Sequence, residues 1–285
     1  MTTVTGPSVR LLFCEGQPDS LDSALLNRIK SPDSLISPVG GKYGMGAFIQ
    51  GRMASYKPDQ CPDCLGFRDR DFDMEPPANL ELIRFSRLHS KTPIWLTYRA
   101  CVESYFIDAE LLHDYWTQSA TGPLWQHGPT PQVQEIQDKI LQAARELADY
   151  QATRWALAKL KPGPRWPEIE TTWTDGSGHL PRSLAFNDCL AEANRIISEF
   201  IAQVSGITIE RFEQEAEEYR IRFTQDDFYS RQLFLIWFHG KDLLTQLSRH
   251  LASNFSHKHY AAWAVNHISL GQHLDLQQLS TLCGM

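Results

Sequence analysis

Short, nearly continuous apolar runs alternate with polar turns and amphipathic stretches along the N-terminal part of the chain. Residues 9–14 read Val-Arg-Leu-Leu-Phe-Cys, the length and character of a strand buried on both faces. Gly16-Gln17-Pro18-Asp19 predicts a turn after it, and residues 20–29 have helical spacing with Asp19 or Ser20 placed to cap them. The pattern then repeats, with an apolar run at 35–39, a tight turn at Gly40-Gly41-Lys42 and a helix over 45–53. Cys64 opens a third run through residues 65–67, residues 80–88 mix apolar with basic side chains, and residues 94–97 make a fourth strand candidate. Strands alternating with helices predict an α/β domain with a mostly parallel sheet flanked by helices.

The middle of the chain changes character. Val133, Ile136, Ile140, Ala144, Leu147 and Ala148 recur at helical spacing, predicting one long amphipathic helix over 131–160. Residues 161–181 are dense in proline and glycine and read as a loop. Two further helices are expected over 183–204 and 209–223, the second strongly acidic. Residues 233–238 return to a continuous apolar run ending in His239-Gly240-Lys241, with helical residues 243–251 after it, so this stretch resembles the earlier strand-turn-helix junctions. More amphipathic helix is expected in the tail from 260 to 285. Residues 8–112 thus form a first part of an α/β core, 113–231 a large α-helical insertion, and 232–285 a return to the core with C-terminal helices.

Composition narrows the class. With 285 residues and 42% hydrophobic content the chain has ample material for a buried core. No stretch has the length of apolar sequence that spans a bilayer, and residues 1–7 lack the basic-then-apolar start of a secretory signal. Those features predict a cytoplasmic protein with no membrane partner. Six cysteines in a chain this long do not make a disulfide framework, and Cys61 with Cys64 forms a lone CxxC without a second pair. The formal net charge of −7 disfavours unselective adhesion to nucleic acid, although a local basic groove remains compatible with it.

The candidate chemistry lies at the ends of the apolar runs. Glu15 follows the first, Asp69 and Asp71 follow the third in Phe67-Arg68-Asp69-Arg70-Asp71-Phe72-Asp73, and Glu103 follows the fourth. On an extended strand Asp69 and Asp71 leave the same side. Each acid alone has a plainer reading: Glu15 and Glu103 as caps favoured by a helix dipole, the Asp-rich turn as solvated loop. Together, right-handed strand-helix-strand connections bring these strand ends to one edge of the sheet. Several carboxylates there without a His/Cys set describe a hard-cation site for Mg2+ or Mn2+. Lys42 is placed to touch a phosphate, and His239 reads as a structural residue beside a core run.

A Glu-Gly turn after a first strand and an Asp-x-Asp after a later one resemble the TOPRIM signature, here Glu15-Gly16 and Asp69-Arg70-Asp71. The chain is similar to the OLD-like nuclease branch of that family, with Asp19 matching a second acid four residues after the first, Glu103 an acid at a helix start, and Gly240-Lys241 a late Gly-Lys. The resemblance covers residues 8–112 and 232–252. The Val-Glu-Ser-Tyr-Phe run, the compact size and the lack of an ATPase domain resemble the AriB group of stand-alone effectors of PARIS anti-phage defence. What this implies is a Rossmann-like TOPRIM fold and a magnesium-dependent endonuclease. Glu15, Asp19, Asp69, Asp71 and Glu103 would hold metal, with Asp73 behind them. Glu15, Asp69, Asp71 and Lys241 would be the catalytic set, Lys241 offsetting charge on the phosphate. The resemblance also implies a homodimer gated by an ABC-type, AriA-like ATPase and cleaving tRNA, with an OLD-like DNA-nicking nuclease or a catalytically silent binding subunit as alternatives. The insertion is left to dimerisation or ATPase docking by elimination.

Overall fold

The computed structural model describes residues 10–57, 61–85, 93–122, 128–161, 169, 173–174, 181–252 and 255–284. The expected loop at 161–181 and the end of the mixed stretch at 80–88 lie largely outside them. The chain forms two compact units, one of residues 1–147 with 226–285 and one of residues 148–225.

The first unit holds a five-stranded sheet. Its strands are β1 (Arg10–Cys14), β2 (Ser34–Pro38), β3 (Asp63–Arg68), β4 (Ile83–Phe85) and β5 (Ile94–Leu96). They lie in the order β2-β1-β3-β5-β4, and every pairing is parallel except β4 with β5. Continuous apolar sequence places β1 and β3 inside, where Leu12, Phe13, Cys14 and Phe67 are fully buried. Leu11, Phe13, Cys64, Ile94 and Leu96 meet Met45 and Ile49 of α2 (Met45–Ala54) on one face. α1 (Leu21–Ile29) packs its buried Leu25, Leu26 and Ile29 into the same unit, with Ser20 capping its first turn. The α/β expectation, with a mostly parallel sheet flanked by helices, therefore holds.

A 3₁₀ turn over Val102–Phe106 follows β5 and leads into α3 (Ala109–Ala120). The expected long helix is α4 (Val133–Lys159). It begins in the first unit and continues into the second, where its Trp155 meets Tyr219 of α6 (Ile209–Phe223), which lies beside Phe223; the second unit also holds α5 (Phe186–Val204). The chain then returns to the first unit through α7 (Asp226–Ser230), α8 (Phe234–Trp237), α9 (Gly240–His250), α10 (His257–His267) and α11 (Leu274–Leu282). Among the described residues no helix is long and apolar enough to cross a membrane.

Residues 233–238 correct the sequence reading. They form no strand: Ile236 and Trp237 both donate to the Leu233 carbonyl and Phe238 donates to Phe234, closing the helical turn α8. A six-residue apolar run does not distinguish a strand from a buried helical turn by periodicity. Here the preceding Gln232, at φ 53°, reverses the chain into the turn. The fifth strand, at the edge opposite β2, is instead the short antiparallel β4, taken from the mixed apolar and basic stretch, with Ile83 buried and Arg84 exposed.

Candidate metal centre

Parallel pairing brings the C-terminal ends of β1, β3 and β5 to one edge. Glu15 stands immediately beyond β1 and Asp69 immediately beyond β3. Gly16 makes the first turn possible, because a Cβ there would lie 2.2 Å from the Ser20 hydroxyl oxygen and 2.4 Å from an Asp22 carboxylate oxygen. The Gly16 N–H donates to Asp22 at 2.7 Å, so the acid that turns back toward Glu15 is Asp22 in the first turn of α1. Asp19 is exposed on the turn.

The Asp-x-Asp segment is a turn. β3 ends at Arg68 and Asp71 has a φ of 51°, so the strand alternation expected to put Asp69 and Asp71 on one side does not operate. Their placement comes from bonds to the loop after β5: Arg70 N–H donates to Thr97 Oγ1 at 3.0 Å, Asp71 N–H to the Ala100 carbonyl at 2.7 Å, and Val102 N–H to Asp69 Oδ1 at 2.9 Å. The intervening Arg70, unnoticed in the sequence, is fully buried. Its guanidinium donates to the carbonyls of Met74 at 2.6 Å, Ile236 at 2.7 Å and Tyr98 at 3.2 Å. It thereby ties the acidic turn to α8, just before His239-Gly240-Lys241. Burial lowers its pKa to about 10.

Glu103 comes from the 3₁₀ turn and Lys241 from the first turn of α9. Their charged groups approach to 3.6 Å. Glu15, Asp22, Asp69, Glu103 and Lys241, with Val102, line a cavity of about 130 Å³. One carboxylate oxygen of Glu15 and one of Glu103 are buried without any hydrogen-bond partner. The electrostatics record the crowding. Burial, and then the charge of Asp71, push the Glu15 carboxyl up to about 7. Burial, then Glu103 and Asp71, push Asp69 well above the usual carboxylate range. For Lys241 burial acts against the ammonium, but Glu103 and Asp69 outweigh it and hold the group more firmly protonated than usual.

The other acids are already engaged. Asp71 accepts from Lys42 at 2.7 Å and from His239 Nε2 at 3.1 Å. Burial would raise its pKa, yet the His239 and Lys42 hydrogen bonds and the Lys42 charge prevail and hold it well below the usual range. Asp73 is bound by Arg68 at 2.7 Å and by Lys42 at 3.3 Å. Glu15, Asp69 and Glu103 thus converge on the cavity, Asp71 and Asp73 flank it as partners of Lys42, and Asp19 stays outside it. Lys42 was legible as a turn lysine within reach of a phosphate but not as the partner of Asp71 and Asp73, since nothing in Gly-Gly-Lys marks them.

Of this set, Asp69 and Glu103 bring carboxylate oxygens close enough to one another to share an ion, and Glu15 lines the same cavity outside that group. Two orphaned buried oxygens and an overcharged carboxylate cluster are what a hard cation relieves. Cys101 Sγ also lies within 4.8 Å of a carboxylate oxygen of Asp69 and of Glu103. Burial, and then the charges of Glu103 and Asp69, push its thiol well above the usual range, and it accepts the Gly240 N–H at 3.2 Å. The neutral thiol is a poor ligand, which leaves an oxygen set suited to magnesium or manganese. The chain matches no protein-family model and no curated protein.

Proposed function

We propose that the chain is a divalent-metal-dependent TOPRIM nuclease of the OLD-like branch, acting as a toxic anti-phage effector. One observation carries the reading: Glu15 and Glu103, from separate elements, each bury an unpartnered oxygen at a cavity that also holds Asp69. Glu15, Asp69 and Glu103 would hold magnesium or manganese, which when bound supplies Lewis-acid stabilisation of charge on a phosphodiester. Lys241, 60% exposed at its side chain and paired with Glu103 at 3.6 Å, lines the cavity where its ammonium would meet a phosphate oxygen. Asp71 fixes Lys42 and His239 beside the cavity and keeps a second cation near the same edge.

The AriB-like resemblance favours tRNA as substrate and an ABC-type, AriA-like ATPase as the partner that restrains the enzyme. An acidic protein gains little from non-specific phosphate attraction, whereas folded RNA is recognised by shape over a limited surface. The test incubates the purified full chain, wild type and Glu15→Gln, with total tRNA or plasmid DNA, in magnesium, manganese or chelator, and sequences the ends. Metal-dependent tRNA ends with the wild type alone are expected. Ends in DNA with intact tRNA would assign an OLD-like DNA nuclease. Cleavage in chelator would end the metal mechanism, and no metal binding at all would leave a silent binding subunit. Co-expression with the ATPase is expected to suppress toxicity of the wild-type chain.

A further inference from the structure

Cys101 stands among the acids of the cavity, and a magnesium centre makes no use of it. Its Sγ, a carboxylate oxygen of Asp69 and one of Glu103 all lie within 4.8 Å of one another. Asp69 comes from the turn after β3, whereas Cys101 precedes the 3₁₀ turn that carries Glu103. Each acid has a second oxygen to give. Asp69 Oδ1 accepts the Val102 N–H and Glu103 Oε1 faces Lys241, while Glu103 Oε2 is buried with no hydrogen-bond partner. A buried cysteine is ordinarily a small hydrophobe. The neighbours of this one are polar: the Gly240 N–H donates to its sulfur at 3.2 Å, and Ser104 Oγ and His239 Nδ1 stand at 3.7 and 3.8 Å.

We propose that Asp69, Cys101 and Glu103 form a site for a thiophilic divalent ion of the zinc class, with a sulfur ligand that magnesium and manganese leave unused. Those two ions prefer oxygen and leave the thiol protonated. Zinc takes sulfur and oxygen together in a tetrahedral shell and ionises a coordinating thiol outright. With Zn–S about 2.3 Å and Zn–O about 2.0–2.2 Å, tetrahedral donors lie roughly 3.3–3.7 Å apart. Donors within 4.8 Å of one another need to draw in by at most about 1.5 Å to reach that shell. As the Zn–S bond forms the S–H bond breaks, the proton leaves to solvent, and no electron changes hands. The Gly240 N–H then supports the thiolate from outside the shell. Because zinc takes Asp69 and Glu103, it competes with the hard ion for the centre, and a given ligand set holds zinc more tightly than manganese. The consequence, an enzyme locked by zinc, rests on the nuclease reading; the site itself rests on these atoms alone.

Cobalt(II) serves as the spectroscopic stand-in for zinc. Titrated into the full chain, reduced with a thiol-free reductant, it should give a sulfur-to-cobalt charge-transfer band in the near ultraviolet, and zinc should bleach that band. Cys101→Ser should abolish the band and weaken zinc binding at least about 10-fold by calorimetry. Cys61→Ser, which breaks the CxxC, should leave both intact. Manganese affinity, read by electron paramagnetic resonance, should change less than about 3-fold in Cys101→Ser, since an oxygen set suits that ion, and should be lost in wild type saturated with zinc. Glu103→Gln keeps the thiol and should weaken cobalt binding at least about 10-fold, whether or not the Cys101 variant folds. The absence of a sulfur band in the wild-type chain overturns the proposal. So does a band that survives Cys101→Ser or disappears in Cys61→Ser, or manganese that binds unhindered beside zinc. A sulfur band in a chain that cleaves nothing keeps this site and ends the nuclease reading; cleavage in magnesium without such a band does the reverse.

Discussion

Gly240 stands so close to Ser104 that a Cβ at position 240 would lie 2.3 Å from the Ser104 backbone nitrogen. The contact seats the first turn of α9 on the 3₁₀ turn and sets the neighbouring Lys241 against Glu103 at 3.6 Å. Gly240→Ala is expected to destabilise the protein by about 1–3 kcal/mol through overpacking, and to separate Lys241 from Glu103. Lys241→Ala removes a largely exposed ammonium that offsets Glu103 and Asp69, so its thermal stability should fall by no more than about 1 kcal/mol, while kcat on the proposed nucleic-acid substrate falls more than KM rises. Thermal melts with steady-state kinetics check both. Equal loss of stability in the two variants would mean that Lys241 is structural.

Arg70 joins the acidic turn to the C-terminal segment through the Ile236 carbonyl at 2.7 Å. Its guanidinium also serves Met74 and Tyr98, so Arg70→Met leaves several buried carbonyls without donors. A loss on the order of 3–5 kcal/mol is expected, at about 1–3 kcal/mol per unsatisfied group with partial relaxation. Arg70→Lys should not rescue it, because one ammonium does not reproduce the planar fork. Urea denaturation reads the difference. A Lys variant of wild-type stability would show that the charge alone suffices.

Strand and helix order was legible wherever periodicity and length agreed. β1 and α1 follow from a five-residue apolar strand and a Ser20 cap, and α4 from a long stripe at helical spacing. α8 was not legible, since a short apolar run carries no period and the deciding feature was a reversal at Gln232. At the site, Glu15, Asp69 and Glu103 could be placed because strand ends in a parallel sheet share an edge. Asp22, Lys42, Arg70 and His239 could not. Asp22 faces the cavity through a bond to the Gly16 N–H, and Lys42 and His239 act through Asp71, relations that only the folded turn creates. Asp69 and Asp71 were grouped by strand alternation, whereas hydrogen bonds to the loop after β5 are what hold them.

Glu15→Gln separates stability from function. The glutamate is held in a crowded, buried position that raises its pKa to about 7, so neutralising it removes repulsion from Asp71. The metal-free variant is expected to melt no lower than wild type. Its cleavage should nevertheless drop by about 100-fold or more, since even outer-shell changes at metal sites cost about 10–100-fold. Asp69→Asn should behave the same way: burial, Glu103 and Asp71 crowd its carboxyl too, and the amide oxygen can still accept the Val102 N–H that Oδ1 accepts at 2.9 Å. Differential scanning calorimetry in chelator, paired with cleavage assays in magnesium, decides it. A strongly destabilised Glu15→Gln would assign the residue a structural role.

Metal should matter more as pH rises. Glu15 ionises near 4.5 when unfolded and near 7 when folded, so between those values the folded protein holds more protons than the unfolded chain. Its contribution to stability therefore declines as pH climbs through that window. The raised Asp69 acts in the same direction. Asp71 acts oppositely, since its depressed pKa gives stability present above the usual carboxylate range and lost as pH falls through the folded value. In chelator the melting temperature is expected to fall between about pH 5 and about pH 7 as Glu15 ionises. Magnesium or manganese at 100 times its Kd adds about 2.7 kcal/mol where the ligands are ionised. At pH 8 that corresponds to a rise of several degrees, and at pH 5 protons compete with the ion and the rise should shrink. Melting curves at both pH values, with and without metal, read the two slopes. A metal-induced shift that is the same at both pH values, or that persists in a Glu15→Gln/Asp69→Asn chain, would remove these carboxylates from the metal site.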